Sequence, residues 1–246
     1  FVELDPEGNF NRYVGATPVT VSLVDRFWRS IQTEAQQARS SLWLPTTYSD
    51  LAIDADGFIY ASIADSTSKD PIRKLNASGD DVMPENEFTE RPMGDYDESG
   101  KSLSNLTNIA VADDGRFAVL DSVYSRIFVY SSDGNLMYEF GGSGNAEGKL
   151  NSPVGICFMD EKVLVVDLAY QSVEVFAPTE YGHLINQGLE AQSRYDYDEA
   201  AGYWQQVLDI NNNFYYANLG LGKYQLRVGE YDEAMTNFYK GGDRSY

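Results

Sequence analysis

Two short acidic stretches and a recurring aspartate are the first candidates for chemistry. Asp54-Ala55-Asp56-Gly57 and Asp113-Asp114-Gly115 bring carboxylates close enough to suggest calcium. A dedicated calcium loop spaces its oxygen ligands regularly and closes with a Glu. Neither stretch does so. Both lie between alternating apolar runs, where Asp-Gly is the pair a tight hairpin turn favours, and both read as turns. Asp121 and Asp167 are better candidates, because each ends an apolar run and they stand in equivalent places. The competing reading is structural: each caps the loop after it, Asp121 with Arg126 as a partner. On either reading no cofactor is required, and Ca2+ is the one to consider.

Other chemistries lack parts. His183 is the only histidine, so a multi-His zinc centre and a Ser-His-Asp set cannot be assembled. Gly141-Gly142-Ser143-Gly144 leads into a strand rather than a helix, so it is a bend and not a phosphate cradle. Asp95-Tyr96-Asp97-Glu98 reads as a solvated loop. The single cysteine, Cys157, sits in an apolar strand pattern and is expected to be buried. A net charge of −20 repels phosphate backbones, so no nucleic-acid partner is expected. No apolar run reaches membrane-spanning length, so no direct membrane insertion is expected either. The chain opens Phe-Val-Glu-Leu-Asp without an initiator Met, which reads as a processed or shortened chain.

These residues are positioned by a repeat. Ser49–Asp65, Asn108–Ser122 and Gly155–Ala169 each spell apolar strand, tight turn, apolar strand. The turns fall at Asp56-Gly57, Asp114-Gly115 and Asp160-Glu161. A further strand follows each pair: Ile72–Leu75, Arg126–Tyr130 and Ser172–Phe176. The middle unit then turns at Asp133-Gly134 into Asn135–Phe140. Each unit is therefore expected to be a four-stranded antiparallel meander, and the step from Ile109 to Ile156 is 47 residues. Meanders at this period read as propeller blades.

Gly141-Gly142, Leu150, Pro153, Gly155-Ile156, Asp121 or Asp167, and the strands ending at Tyr130 or Phe176 together resemble the NHL repeat family. Its members are usually six-bladed propellers. The Ser49 unit departs from the pattern, with Ser62 where the aspartates stand. FVELDPEGNFNRYVG mirrors FVYSSDGNLMYEFGG, so residues 1–15 read as the outer half of a blade. Residues 1–180 then hold about three and a half blades of an only partly present propeller. An amphipathic helix at about 20–41 is inserted, with Trp28 and Trp43 as its anchors on the sheet edges.

After Pro178 the period changes. Gly188, Tyr197-Asp198-Glu199-Ala200 and Trp204 recur 34 residues on as Gly222, Tyr231-Asp232-Glu233-Ala234 and Phe238. Small residues let helices approach and the aromatics fill the groove. The pattern resembles the tetratricopeptide (TPR) repeat, with Asn211-Asn212-Asn213 making the turn in place of the usual proline. Residues 181–246 are thus expected to form antiparallel helical hairpins, and the fold is multi-domain, β plus α. The layout resembles bacterial proteins that are extracytoplasmic and membrane-tethered.

Such scaffolds offer surfaces more than reactive groups. The expectation is a non-enzymatic binding or scaffold protein. A protein or peptide partner would meet the helices at Tyr195, Tyr215, Tyr216 and Asn218. A glycan or second partner would meet the propeller mouth, at Tyr48, Ser49, Asn105, Thr107, Asn108, Asn151, Asp121 and Asp167. The alternative is a divalent-cation-dependent hydrolase or lactonase-type propeller.

Overall fold

The structure, a computed structural model, describes residues 2–15, 47–66, 68, 70–84 and 93–242. The expected inserted helix, with Trp28 and Trp43, lies outside them. Alternating apolar positions separated by turn residues fold into four antiparallel sheets. The first is the hairpin β1 (Val2–Leu4) and β2 (Phe10–Tyr13). Then come β3 (Asp50–Ile53), β4 (Ile59–Ser62) and β5 (Ile72–Leu75). The third sheet is β6 (Leu106–Val111), β7 (Phe117–Asp121), β8 (Arg126–Tyr130) and β9 (Leu136–Gly141). The fourth is β10 (Pro153–Met159), β11 (Lys162–Asp167) and β12 (Ser172–Phe176).

The turns are the expected ones. Gly57 and Gly115 take φ of 84° and 80°, in the left-handed region that glycine enters at little cost. Asp54 accepts the N–H groups of Asp56 and Phe58 on one oxygen, and Asp114 accepts that of Arg116. Both acidic stretches therefore hold turns.

Among the described residues, only the middle unit is the four-stranded meander expected of all three. In the first unit the fourth strand shrinks to one bridge, Leu75 with Asp81, which Arg73 reinforces by pairing with Asp81 at 2.9 Å. In the third unit the chain leaves after Phe176. Pro178 cannot donate to a ladder, and Thr179 caps a helix by accepting the Gly182 N–H.

The inner strands β3, β6 and β10 lie side by side, and the three larger sheets pack face on face in succession. Tyr60 and Ile72 of the first unit meet Ile109, Phe117, Val119, Phe128 and Tyr130 of the second. The second unit's other face, Ala118, Leu120, Ile127 and Val129, meets Val163, Val165, Ile156, Phe158 and Phe176 of the third. This face-to-face succession around a shared inner row is propeller-like.

Four helices follow: α1 (Glu180–Ser193), α2 (Tyr197–Ile210), α3 (Tyr215–Val228) and α4 (Tyr231–Gly242). They form two antiparallel hairpins, and α2 also packs on α3. The 34-residue period has a steric cause. A Cβ at Gly188 would sit 2.7 Å from the Trp204 ring, and one at Gly222 would sit 3.0 Å from Phe238. Each glycine lets the aromatic of the facing helix lie flat on backbone. Among the described residues, no helix is long and apolar enough to cross a membrane.

Candidate functional site

Asp121 and Asp167 are fully buried at the ends of β7 and β11. Asp167 accepts backbone N–H bonds from Asn151 (2.6 Å), Ser152 (3.1 Å), Ala169 (2.9 Å) and Tyr170 (3.3 Å). Desolvation pushes its pKa up, but these four donors outweigh that and hold the carboxyl below its ordinary value. Asp121 accepts the N–H groups of Asn105 and Val123 on one oxygen, while the other oxygen is buried and has no hydrogen-bond partner among the described residues. Both aspartates thus tie the loop before the inner strand to the loop after the second. The expected Arg126 partner goes elsewhere. Arg126 pairs with Asp95 and Glu139, and stacks on Tyr124 and Phe128.

The other mouth residues gather around the starts of β3, β6 and β10, and several are engaged there. Ser49 shares a 2.9 Å bond with Ser62, which donates to the Thr107 carbonyl. The pairing register matches Ser62 with Leu120 and puts Ile63, not Ser62, where Asp121 and Asp167 stand, so the expected placement of Ser62 is off by one residue. The Asn108 side chain reaches Asp50, whose carboxylate also accepts the Ile109 N–H. Asn105 bonds Ser122, and Tyr48 donates to the Gly15 carbonyl. Asn151 enters through its backbone on Asp167. Among the described residues, no three His, Cys, Asp or Glu side chains come together in a cluster able to hold a metal.

Of the helical candidates, Tyr216 and Asn218 are buried, and Tyr215 is partly so. The Tyr215 hydroxyl donates to Asn135, and Tyr216 reaches Asp133 at 3.4 Å and accepts from Gln192. Burial pushes the Tyr216 hydroxyl's pKa up, and the nearby Asp133 adds to it. Asn218 bonds the carbonyls of Asn212 and Phe214, locking the start of α3. Tyr215 and Tyr216 form a joint between helices and sheet, and Asn218 is taken up inside the helical hairpins. The rest of the joint had no sequence signal. Tyr138 on β9 donates to Asn186 of α1 at 2.8 Å, Met137 enters the helical core, and Glu161 takes His183 and Gln187. Beside it the Arg116–Asp114 pair is nearly solvent-free. Desolvation raises the Asp114 pKa, and the Arg116 charge offsets only part of that.

Tyr195 differs from the others. It follows the C-cap of α1 with φ 62°, and the residue is 76% exposed. Its counterpart 34 residues on is Gly229, at φ 90° after α3. A bulky side chain in the left-handed region is strained, and glycine is the usual occupant of this helix-ending position. Tyr195 lines a cleft of about 280 Å³ with Arg194, Asp196, Tyr197, Asp198 and Arg227. Arg227 lies over the Tyr197 ring at 5.1 Å, and Arg194 pairs with Glu190 and Glu199. Two guanidinium groups, two tyrosines and two aspartates meet there.

The chain is therefore a propeller-like stack of antiparallel sheets to which two helical hairpins are docked. No protein-family model and no curated protein sequence matches it. Solved structures with some likeness include a Bacteroides caccae protein of unknown function, at 16% identity and TM-score 0.36, over 53% of this chain and 42% of that one. Another is a catalytically inactive virginiamycin B lyase from Staphylococcus aureus with quinupristin, at 16% and 0.33, over 56% and 44%. A third is a streptogramin B lyase, at 12% and 0.32, over 56% and 43%. The chain spans less than half the length of each, and likeness this slight assigns no role to any residue here.

Proposed function

We propose that this is a binding protein whose helical hairpins, TPR-like in their 34-residue period, present the Tyr195 cleft to a protein or peptide partner. The NHL-like blades act as the rigid platform behind it. Tyr195 carries the reading. The equivalent backbone position is filled by glycine in the second repeat and by a strained, exposed tyrosine in the first. Strain of that kind is kept where a side chain is needed for something other than stability. Arg227, stacked on Tyr197, suits a carboxylate of a peptide segment, while Arg194 is held by Glu190 and Glu199. An extracytoplasmic, membrane-tethered setting and a glycan at the propeller mouth belong to the same proposal.

Tyr195→Gly tests it with two readouts of opposite sign. Relief of the left-handed backbone is expected to stabilise the full chain by about 1 kcal/mol in urea unfolding. The same variant is expected to lose most of the partners that the wild type retains from extract. A variant that is more stable and retains the same partners would sink the proposal.

The metal-dependent hydrolase is the second reading, and the unpartnered Asp121 oxygen is what favours it. A native-state cation at a hundred times its dissociation constant would add about 2.7 kcal/mol. Because the other Asp121 oxygen and both Asp167 oxygens are taken by backbone N–H groups, the thermal midpoint is expected to be the same in EDTA and in millimolar calcium. A clear rise with calcium would put the hydrolase reading first.

A further inference from the structure

The last helix carries an apolar stripe on its open side. Tyr231, Met235 and Tyr239 stand four residues apart along α4, so they share one side of it. They are 68%, 70% and 72% exposed. Among the described residues none of the three has a hydrogen bond, ion pair or ring contact. Ala234 and Gly241, on the other side, are buried close to Gly222 and Leu219 of α3. The first repeat shows how the matching face of α2 is used. Tyr197, the counterpart of Tyr231, lies under Arg227 of α3, and Ala201, the counterpart of Met235, is buried. Gln205, the counterpart of Tyr239, is exposed. A small residue at Ala201 lets α3 approach closely. On α4 the small and the polar residue become methionine and tyrosine, so its face is not a second copy of that contact.

We propose that this face receives α4 of a second copy, antiparallel and about a two-fold axis at Met235. The stripe is symmetric about its middle residue. With Met235 on the axis, Tyr231 of one copy lies level with the partner's Tyr239, each about 6 Å along the helix from the axis. Charge is arranged in the same way. Asp232 and Glu233 occupy the first turn of α4 and Lys240 the last. Antiparallel packing therefore sets each acidic end beside the partner's basic end, with the helix dipoles opposed. At about 3.6 residues per turn, Asp232 and Lys240 also fall on the same flank of the stripe. Methionine and tyrosine are residue types enriched in contacts between proteins. A contact of this kind is isologous, so it closes at two copies.

Sedimentation velocity of the full chain from low to high micromolar, in salt that screens its charge of −20, tests this. The wild type is expected to show monomer and dimer in equilibrium and nothing larger. Met235→Glu brings two carboxylates together on the axis and is expected to weaken the dimer by roughly 100-fold. It changes an exposed residue, and circular dichroism checks its fold. A cross-link reads the axis directly. Cys157, which is exposed rather than buried as its strand pattern suggests, is first changed to serine. Helices packed about 8–10 Å apart bring facing Cα atoms to roughly 4–6 Å, within reach of a disulfide. Cys157→Ser/Met235→Cys is therefore expected to form a disulfide-linked dimer under mild oxidation. Cys157→Ser/Glu233→Cys, on the far side of α4, is expected to stay unlinked. A wild type that remains monomeric would overturn the proposal. So would species larger than a dimer, a folded Met235→Glu variant that dimerises as the wild type does, or equal cross-linking at the two positions.

Discussion

Replacing Trp204 with alanine is expected to cost about 3–5 kcal/mol of stability, the range for emptying a buried aromatic site. The indole is 1% exposed, lies across the backbones of Gly188 and Gly220, and meets Tyr216 edge-on with ring centroids 5.6 Å apart. Ile185, Leu189, Val207 and Ala217 complete its surroundings. The cavity cannot collapse easily, because the two glycines opposite have no side chain to move into it. One term works the other way. The indole Nε1 is buried and finds no acceptor among the described residues, so the wild type already bears the desolvation cost of that donor. Trp204→Phe removes the orphaned N–H while keeping most of the volume. Its expected cost is below about 1.5 kcal/mol. Urea unfolding of the three proteins checks the order. The damage should also reach the sheet, because Tyr216 and Met137 belong to the same core. A Trp204→Ala variant within about 1 kcal/mol of wild type would show that the hairpins are not held by this residue.

The helical repeat was legible because its period is enforced by sterics that sequence records directly. Glycine opposite tryptophan or phenylalanine, 34 residues apart, leaves a trace without any structure. The hairpins were legible for a similar reason, since Asp-Gly between alternating strands specifies a turn. The strand count was less so. Nothing in the apolar alternation says that the third unit ends at β12, and only Pro178 and the Thr179 cap mark the departure.

The joint was not legible at all. Tyr138 and Asn186 are 48 residues apart and belong to two different repeats, so no periodicity links them. Tyr216 and Asn218 have residue types that suit a concave binding face equally well. Tyr216 is buried where the turn at Asp133–Asn135 meets the helices, and Asn218 where it bonds the carbonyls of Asn212 and Phe214, which are tertiary facts. Cys157 shows the converse. Its strand pattern was read correctly, but burial of a sheet face needs a neighbour, and alternation alone does not supply one. Tyr195 could have been singled out further by aligning the two helical repeats, since it falls opposite Gly229.

Removing the Asp167 carboxylate, by Asp167→Ala, is expected to cost roughly 3–4 kcal/mol near neutral pH. The change leaves the N–H groups of Asn151, Ser152, Ala169 and Tyr170 without the acceptor they share, and charged acceptors are the strong ones. Asp121→Ala withdraws an acceptor from two N–H groups rather than four, so its cost should be smaller. The pH dependence separates this account from a mere packing defect. The folded-state pKa of Asp167 is depressed, so its contribution is fully present above the unfolded value of about 3.9. It drains away as pH falls from there through the folded value, because the protonated group binds the four donors less well. The gap in unfolding free energy between wild type and Asp167→Ala should therefore be constant from about pH 7 to 5 and shrink below about pH 4. A gap that stays flat across the acid range would mean that the loops are held by the shape of the side chain and not by its charge.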